Sequence, residues 1–414
     1  MKKRKNRRRI VITGLGVIAP NGIGKEQFWL ALKEGRSGIR RIKRFDTGQF
    51  KCKLGGEIRD FKPTEFLGFK GLKNLDRSTR LLCSAAKLAI DDSGLSINGK
   101  NTDDIGVCTG TTLSALWSIA EFTKEVITEG PRFTDAALFP GTVSNAASSQ
   151  VSIRFNIQGF NTTIATGYSS SLDAFKYAID FIKSGRIKAV LVGGVESISL
   201  VNFIGFYNLG FFAGLKGMEL SCPFDKRRNG IILSEGAAVV VIEDEEYAKK
   251  RNADIYAEVK GVGNYFDAYK IGGYHPEASG LKTSMKKAIK NSELINTDID
   301  YISASANSVQ EQDRLETKAI KDVFGRFAYN IPVSSIKSMI GESFSAGGLL
   351  QIAASIGSMV DSFIPPTINY EKRDDECDLD YVVNKSRITR IRNVLVNSFG
   401  PGGNNASMMI SKYH

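Results

Sequence analysis

The sequence predicts an α/β protein built from two similar halves around buried sheets. Short runs rich in Val, Ile and Leu alternate with amphipathic stretches of helical period along the whole chain. The order of strand, loop and helix in the first part is then echoed in the second. With 414 residues the chain can bury a large core, and 42% hydrophobic against 24% charged residues is a globular balance. No apolar run approaches the roughly 18 residues of a membrane span, so none is predicted.

Taken in order, Arg9 to Val17 reads as the first core strand and Gln27 to Leu32 as the start of a helix. Arg77 to Ser93 is a longer helix, with Gly94 placed to cap its C-terminus. Ile105 to Gly110 is a strand, followed by a helix over Leu113 to Ile127. The runs Ile187 to Gly193, Ala237 to Glu243 and Ala253 to Gly261 are further buried strands. Asp254 to Gly263 with its loop and helix echoes Arg9 to Leu32, and Asp300 to Ala304 echoes Ile105 to Thr109. The helix entered over Phe344 to Met359 echoes the one that follows Tyr168. The expected division is a basic leader at 1–7 and two halves at 8–252 and 253–414. No Pro-rich or Gly/Ser linker separates the halves, so a single body is expected.

Charge is concentrated at one end. Met1 to Arg9 holds seven of the Lys and Arg residues, which leaves about +5 of the net +12 for the remainder. The following Ile10 to Val17 imitates a secretion signal, but it is short, is split by Gly14 and Gly16, and lacks a small-residue cleavage pattern. The leader reads as solvated; the other reading is a patch attracting an acidic partner. Nucleic acid is not expected, because no recognition module accompanies the charge. Cys52, Cys83, Cys108, Cys222 and Cys377 form no Cys-x-x-Cys pair and no metal-ligand spacing. Reduced thiols in a cytoplasmic protein without a bound metal are the expectation.

The run Asn161 to Asp173 is a strand turning sharply into a helix, with Tyr168 at the tip where such a turn exposes a nucleophile. Other runs keep it company: Arg9-Ile-Val-Ile-Thr-Gly-Leu-Gly16, Pro223-Phe-Asp-Lys-Arg-Arg-Asn-Gly230 with Ser234-Glu-Gly-Ala237, and Val333-Ser-Ser-Ile-Lys-Ser-Met-Ile-Gly341. Ile364-Pro-Pro-Thr-Ile-Asn369, Cys377-Asp-Leu-Asp-Tyr381 and Asn397-Ser-Phe-Gly-Pro-Gly-Gly-Asn404 complete a co-linear set. Together they resemble the elongating ketosynthases of type II fatty-acid and polyketide systems, the β-ketoacyl-acyl-carrier-protein synthases. The resemblance implies a thiolase-like five-layered αβαβα fold from two duplicated halves.

It also implies a chemistry that this chain has lost. The family uses a low-pKa cysteine, two histidines and two backbone N–H groups of an oxyanion hole. The cysteine position is Tyr168, whose phenol, with a pKa of about 10, is roughly one part in a thousand ionised at neutral pH. The histidine positions are Ser305, which cannot carry a proton near pH 7, and Glu342, whose charge would repel an enolate. Lys337 matches the family lysine and is the expected ion-pair partner of Glu342. Pro401 stands where a gating aromatic residue gives one oxyanion N–H, and proline has none to give. The two histidines present, His275 and His414, lie in a turn-rich loop and at the last residue.

The scaffold is otherwise kept, so the resemblance points to a chain-length factor: a non-catalytic partner of an active ketosynthase, shaping the acyl tunnel at a shared interface. The implied partners are that catalytic subunit and an acyl carrier protein, whose phosphopantetheine-linked chain the pair would act on. No covalently bound cofactor is expected. Leu113, Leu138, Phe206 and Phe399 are candidate tunnel residues by resemblance, with ordinary core packing as the other reading. Thr162 to Ala165 is the expected edge-pairing strand. Three other functions remain open: a malonyl-carrier-protein decarboxylase, a tyrosine-based acyltransferase with Glu342 as base, and a scaffold recruiting carrier protein through Lys226, Arg227 and Arg228.

Overall fold

The computed structural model describes residues 8–113 and 115–414; the leader at 1–7 lies outside them. Among the described residues the main sheet has eleven strands, ten in one continuous path and a short one, Gly22–Ile23, paired to the first. In the first half those of the path are β1 (Ile10–Ala19), β2 (Ile105–Gly110), β3 (Asn161–Ile164), β4 (Ala189–Glu196) and β5 (Gly236–Asp244). In the second they are β6 (Ala257–Phe266), β7 (Tyr301–Ser303), β8 (Val333–Ser334), β9 (Asn393–Phe399) and β10 (Asn404–Lys412).

The spatial order is β3-β2-β4-β5-β1 in one half and β8-β7-β9-β10-β6 in the other. β2 pairs in parallel with β3 and β4, while β5 runs antiparallel to β4 and β1. β7 pairs in parallel with β8 and β9, while β10 runs antiparallel to β9 and β6. The two orders and the two sets of directions are the same, so the halves are topological copies. They meet where Val11 pairs with Glu258 and Ile12 with Ala257.

Each strand divides its side chains between two cores, as a period of two requires. In β5, Ala238, Val240 and Ile242 face the central core, while Ala237, Val239 and Val241 face the outer core of the first half. In β9, Val394 and Val396 face the central core, and Leu395 and Phe399 face the outer core of the second half.

The helices that fill these layers are α1 (Arg77–Ser93), α2 (Leu116–Glu129), α3 (Ser170–Lys183), α4 (Ser279–Ser292), α5 (Gln310–Phe324) and α6 (Gly347–Asp361). α1 covers the outer face of the first half, and α4, backed by α5, covers that of the second. α3 and α6 pack together between the sheets. The result is the thiolase-like αβαβα sandwich.

Most elements fall where the sequence puts them. α1 has the expected bounds, is capped by the Asp76 carboxylate on the Thr79 N–H, and ends at Gly94 with φ 59°. α3 and α6 both follow a short 3₁₀ turn, Gly167–Ser169 and Phe344–Ala346, so the echo between those segments is a repeated geometry.

The clearest displacement is α2, which begins at Leu116 rather than Leu113. The buried Glu196 carboxylate accepts the N–H groups of Thr112 (2.6 Å) and Leu113 (3.0 Å), holding that stretch out of the helix. Burial pushes this carboxyl up to about 7. Arg8 and Arg9 are fixed to the body by ion pairs with Asp244, Glu245 and Glu258. No helix among the described residues is long and apolar enough to cross a membrane. The five cysteines are free and buried.

Candidate functional site

Tyr168 sits in the 3₁₀ turn between β3 and α3, and the turn is built from its own hydroxyls. Gly167 takes φ 74°, a conformation that favours glycine. The Ser170 hydroxyl donates to the Gly167 carbonyl (2.6 Å) and accepts the Thr166 N–H (2.9 Å). Thr166 and Ser169 both donate to Asp173 on the first turn of α3. The Ser398 hydroxyl ties the Tyr168 carbonyl to β9 at 2.9 Å.

The tyrosine ring occupies the space such a turn leaves in front of it. It meets Phe344 edge-on with centroids 5.1 Å apart, and Phe344 stacks on Phe206 at 4.6 Å. Leu113 and Phe206 pack in the same cluster. A Cβ on Gly400 would come within 2.4 Å of the Tyr168 ring, so ring and glycine fill each other's space. Burial first, then the Glu342 charge and Tyr274, hold the phenol well above its ordinary value. That direction is opposite to the one an activated nucleophile needs.

Ser305 is fully buried and used as a strap. Its hydroxyl donates to the Phe399 carbonyl and accepts the Phe399 N–H, both at 3.2 Å. Its own N–H goes to Glu316 (2.9 Å), and Gln312 donates to its carbonyl (3.1 Å).

Glu342 is likewise buried and fully engaged. Lys337 Nζ and Asn307 Nδ2 both reach its Oε2 at 2.8 Å, and the Phe344 N–H reaches Oε1 at 2.8 Å. Lys337 also donates to the Ser305 carbonyl at 2.9 Å and lies 5.9 Å from the Tyr168 ring centroid. Tyr168, Ser305, Lys337 and Glu342 are therefore brought together. Pro401 follows Gly400 in the adjoining turn, closed by Gly402 N–H to the Gly400 carbonyl at 2.8 Å.

Several expectations need correction. Leu138 does not share the Tyr168 cluster; it lies in a 3₁₀ segment, Ala136–Thr142, that packs on α2, and lines a cavity with Trp117 and Phe122. Phe399 alternates to the opposite face of β9, into the outer core near Tyr274, and meets the site through its backbone alone. Arg227 and Arg228 are structural and not free for docking. Arg228 is 2% exposed and bonded to Asp374, and Arg227 pairs with Asp225 (2.9 Å) and Glu371 (2.5 Å), pinning the 369–374 segment. Lys226 alone of the three is exposed. A tyrosine–Glu342 pair has no free carboxylate oxygen to work with. His275 faces Tyr269 and accepts the Glu277 N–H, and His414 is exposed at the end.

Four contributors were missed. Asn307, Gln312 and Glu316 lie in the segment around Ser305, where polar residues at buried helical spacing could have flagged them. Phe344 carries φ 46°, and no sequence signal announces a phenylalanine in that region. The ring–glycine fit is directly testable. Gly400→Ala is expected to destabilise the fold by about 1–3 kcal/mol through overpacking. In a Tyr168→Ala background that penalty should largely vanish, a coupling that denaturant melts of the double-mutant cycle would measure.

A sandwich of two copied halves with a turn entering a central helix defines the thiolase-like fold class. Residues 7–248 match the family described as "Beta-ketoacyl synthase, N-terminal domain", and residues 256–371 match "Beta-ketoacyl synthase, C-terminal domain". The chain is 38% identical over 414 residues to the 3-oxoacyl-[acyl-carrier-protein] synthase 2 of Coxiella burnetii, covering 98% of this chain and 99% of that one. It is 35% identical to the tetracenomycin polyketide synthase ketoacyl synthase alpha subunit of Streptomyces glaucescens, covering 98% and 97%. The solved ishigamide ketosynthase/chain length factor superposes with a TM-score of 0.93 at 31% identity, over 99% of this chain and 100% of that one. The chain belongs to the β-ketoacyl synthase family.

Proposed function

We propose that this chain is a non-catalytic partner of an active β-ketoacyl synthase, a chain-length-factor-like subunit of a condensing heterodimer. The observation that carries the reading is the converted site: Tyr168 plugs the pocket against Gly400 while Ser305 and Glu342 are bonded into the frame. Nothing there can accept an acyl group or stabilise an enolate. Yet the turn, the strap and the buried ion pair are intact, which fits selection for shape.

An open sheet edge with exposed apolar residues nearby supports the reading. β3 is a sheet edge, paired on one side only. Near it in sequence, Ile127, Phe133, Phe139, Val143 and Ile153 are exposed. An obligate pairing of this sort buries about 2,000 Å² or more. In the complex, Leu138 and Phe139 would lie against the partner and help close its tunnel, which would then process chains carried on phosphopantetheine of an acyl carrier protein.

Co-expression with a ketosynthase that retains cysteine and both histidines is expected to give a 1:1 complex. Its product length should change when Leu138 or Phe139 is replaced. Purification as a soluble homodimer that decarboxylates malonyl-carrier protein would sink the reading.

A further inference from the structure

A cavity of about 340 Å³ opens where the turn after β1 meets the segments 36–40 and 57–60, and its lining shares no residue with the Tyr168 cluster. The volume lies within the range of small-molecule sites. Pro20, Ile23 and Ile58 give it an apolar wall. Its charged lining is Arg36, Arg40 and Arg59 with the carboxylates of Glu57 and Asp60.

These charges balance. Arg36 pairs at 2.6 Å with Glu34, which lies outside the lining, so three guanidinium groups meet three carboxylates. The buried Glu57 accepts the Lys43 N–H at 2.9 Å and stays 3.7 Å from Arg59 Nε, too far to bond it. Among the described residues, neither Arg40 nor Asp60, both exposed, has an ion-pair partner. One cation and one carboxylate of the lining are thus unspent.

Two buried polar atoms of the same lining are also unmet. Arg59 donates from Nη2 to the Arg41 carbonyl, yet its Nε has no partner. Asn21 donates from Nδ2 to the Arg36 carbonyl at 3.4 Å, yet its Oδ1 has none. Leaving such a donor and acceptor unsatisfied is costly, and a guanidinium fork fits a carboxylate. The lining therefore offers donors for one anionic group, from Arg40 and Arg59, and acceptors for one cationic group, from Asp60 and Asn21. A ligand carrying both charges meets all four; a monoanion or monocation meets half of them. No third unspent charge waits for an acidic or basic side chain, and the apolar wall suits an aliphatic one.

We propose that this cavity binds a small aliphatic α-amino acid as its zwitterion. Arg40 and Arg59 hold the carboxylate, Asp60 and Asn21 Oδ1 hold the ammonium, and the side chain lies against Ile23 and Ile58.

The test titrates the full chain with L-valine and with its two half-charged analogues, isovalerate and isobutylamine, read by calorimetry and by ligand-observed saturation transfer. L-Valine should bind saturably, and each analogue about tenfold or more weaker. Arg40→Gln should weaken L-valine by about tenfold and leave isobutylamine unchanged; Asp60→Asn should weaken L-valine likewise and leave isovalerate unchanged. Both positions are exposed and without an ion-pair partner, so the fold should be kept. No saturable response to L-valine, an analogue that binds as tightly as L-valine, or L-valine binding that neither substitution weakens would overturn the proposal.

Discussion

Tyr168→Cys, purified alone, is expected to catalyse no measurable malonyl-dependent chain extension, although it places a thiol at the tip of the turn. Three deficits persist. Ser305 supplies no imidazole, and its hydroxyl is already bonded both ways to Phe399. Glu342 brings a negative charge to the site, and its oxygens are occupied by Lys337, Asn307 and the Phe344 N–H. Pro401 offers no amide hydrogen. Losing one general acid–base typically removes about 10²–10⁴ in rate, and losing an oxyanion donor about 10²–10³. Such losses do not simply multiply, because the groups act as a unit, but any two suffice to end useful turnover. The measurement is single-turnover acylation followed by extension, with an intact ketosynthase alongside. Acylation of the new thiol alone is compatible with the proposal; repeated carbon–carbon bond formation is not.

Lys337→Met should have the largest effect on stability. The ammonium is 3% exposed and the Glu342 carboxylate 1%, so removing the lysine strands a buried charge. Breaking such a pair from one side costs about 3–5 kcal/mol. Lys337→Met with Glu342→Leu should recover most of that loss, because no charge is then left without its counter-ion. Chemical denaturation of the wild type and the two variants gives the comparison directly. If the single variant melts like the wild type, the pair is not the clamp that the geometry describes. The same pair explains how a carboxylate can sit at this buried position without loosening the site: Lys337 and Asn307 both bond Glu342.

Strand alternation and the echo of one half in the other made two packed α/β halves legible in the sequence, and the resemblance supplied the layered sandwich. Ile105 to Gly110 and Arg77 to Ser93 have their expected bounds because periodicity and a glycine cap are local signals. Leu113 is different, since its place outside α2 depends on Glu196, far off in sequence. Within the site, Tyr168, Ser305, Lys337 and Glu342 could be found because the runs around them resemble the family's motifs, which fixes where a residue sits but not what it touches. Leu138 and Phe399 show the limit. One sits in a 3₁₀ segment packed on α2, and the other faces the far side of its strand, an orientation set by a parity that the motifs alone did not supply. Arg227 and Arg228 resembled a docking patch because composition cannot distinguish a solvated cation from a buried one. Their carboxylate partners, Glu371 and Asp374, come from more than 140 positions away.

The bridge from Val11 and Ile12 to Glu258 and Ala257 has a bearing on how this molecule comes apart. The central core takes side chains from both copies, among them Val240 and Val394. Neither copy can melt while its twin survives, since each would bare half of a shared interior. Heat or denaturant therefore confronts one cooperative object, despite the ancestry written in its two matching topologies.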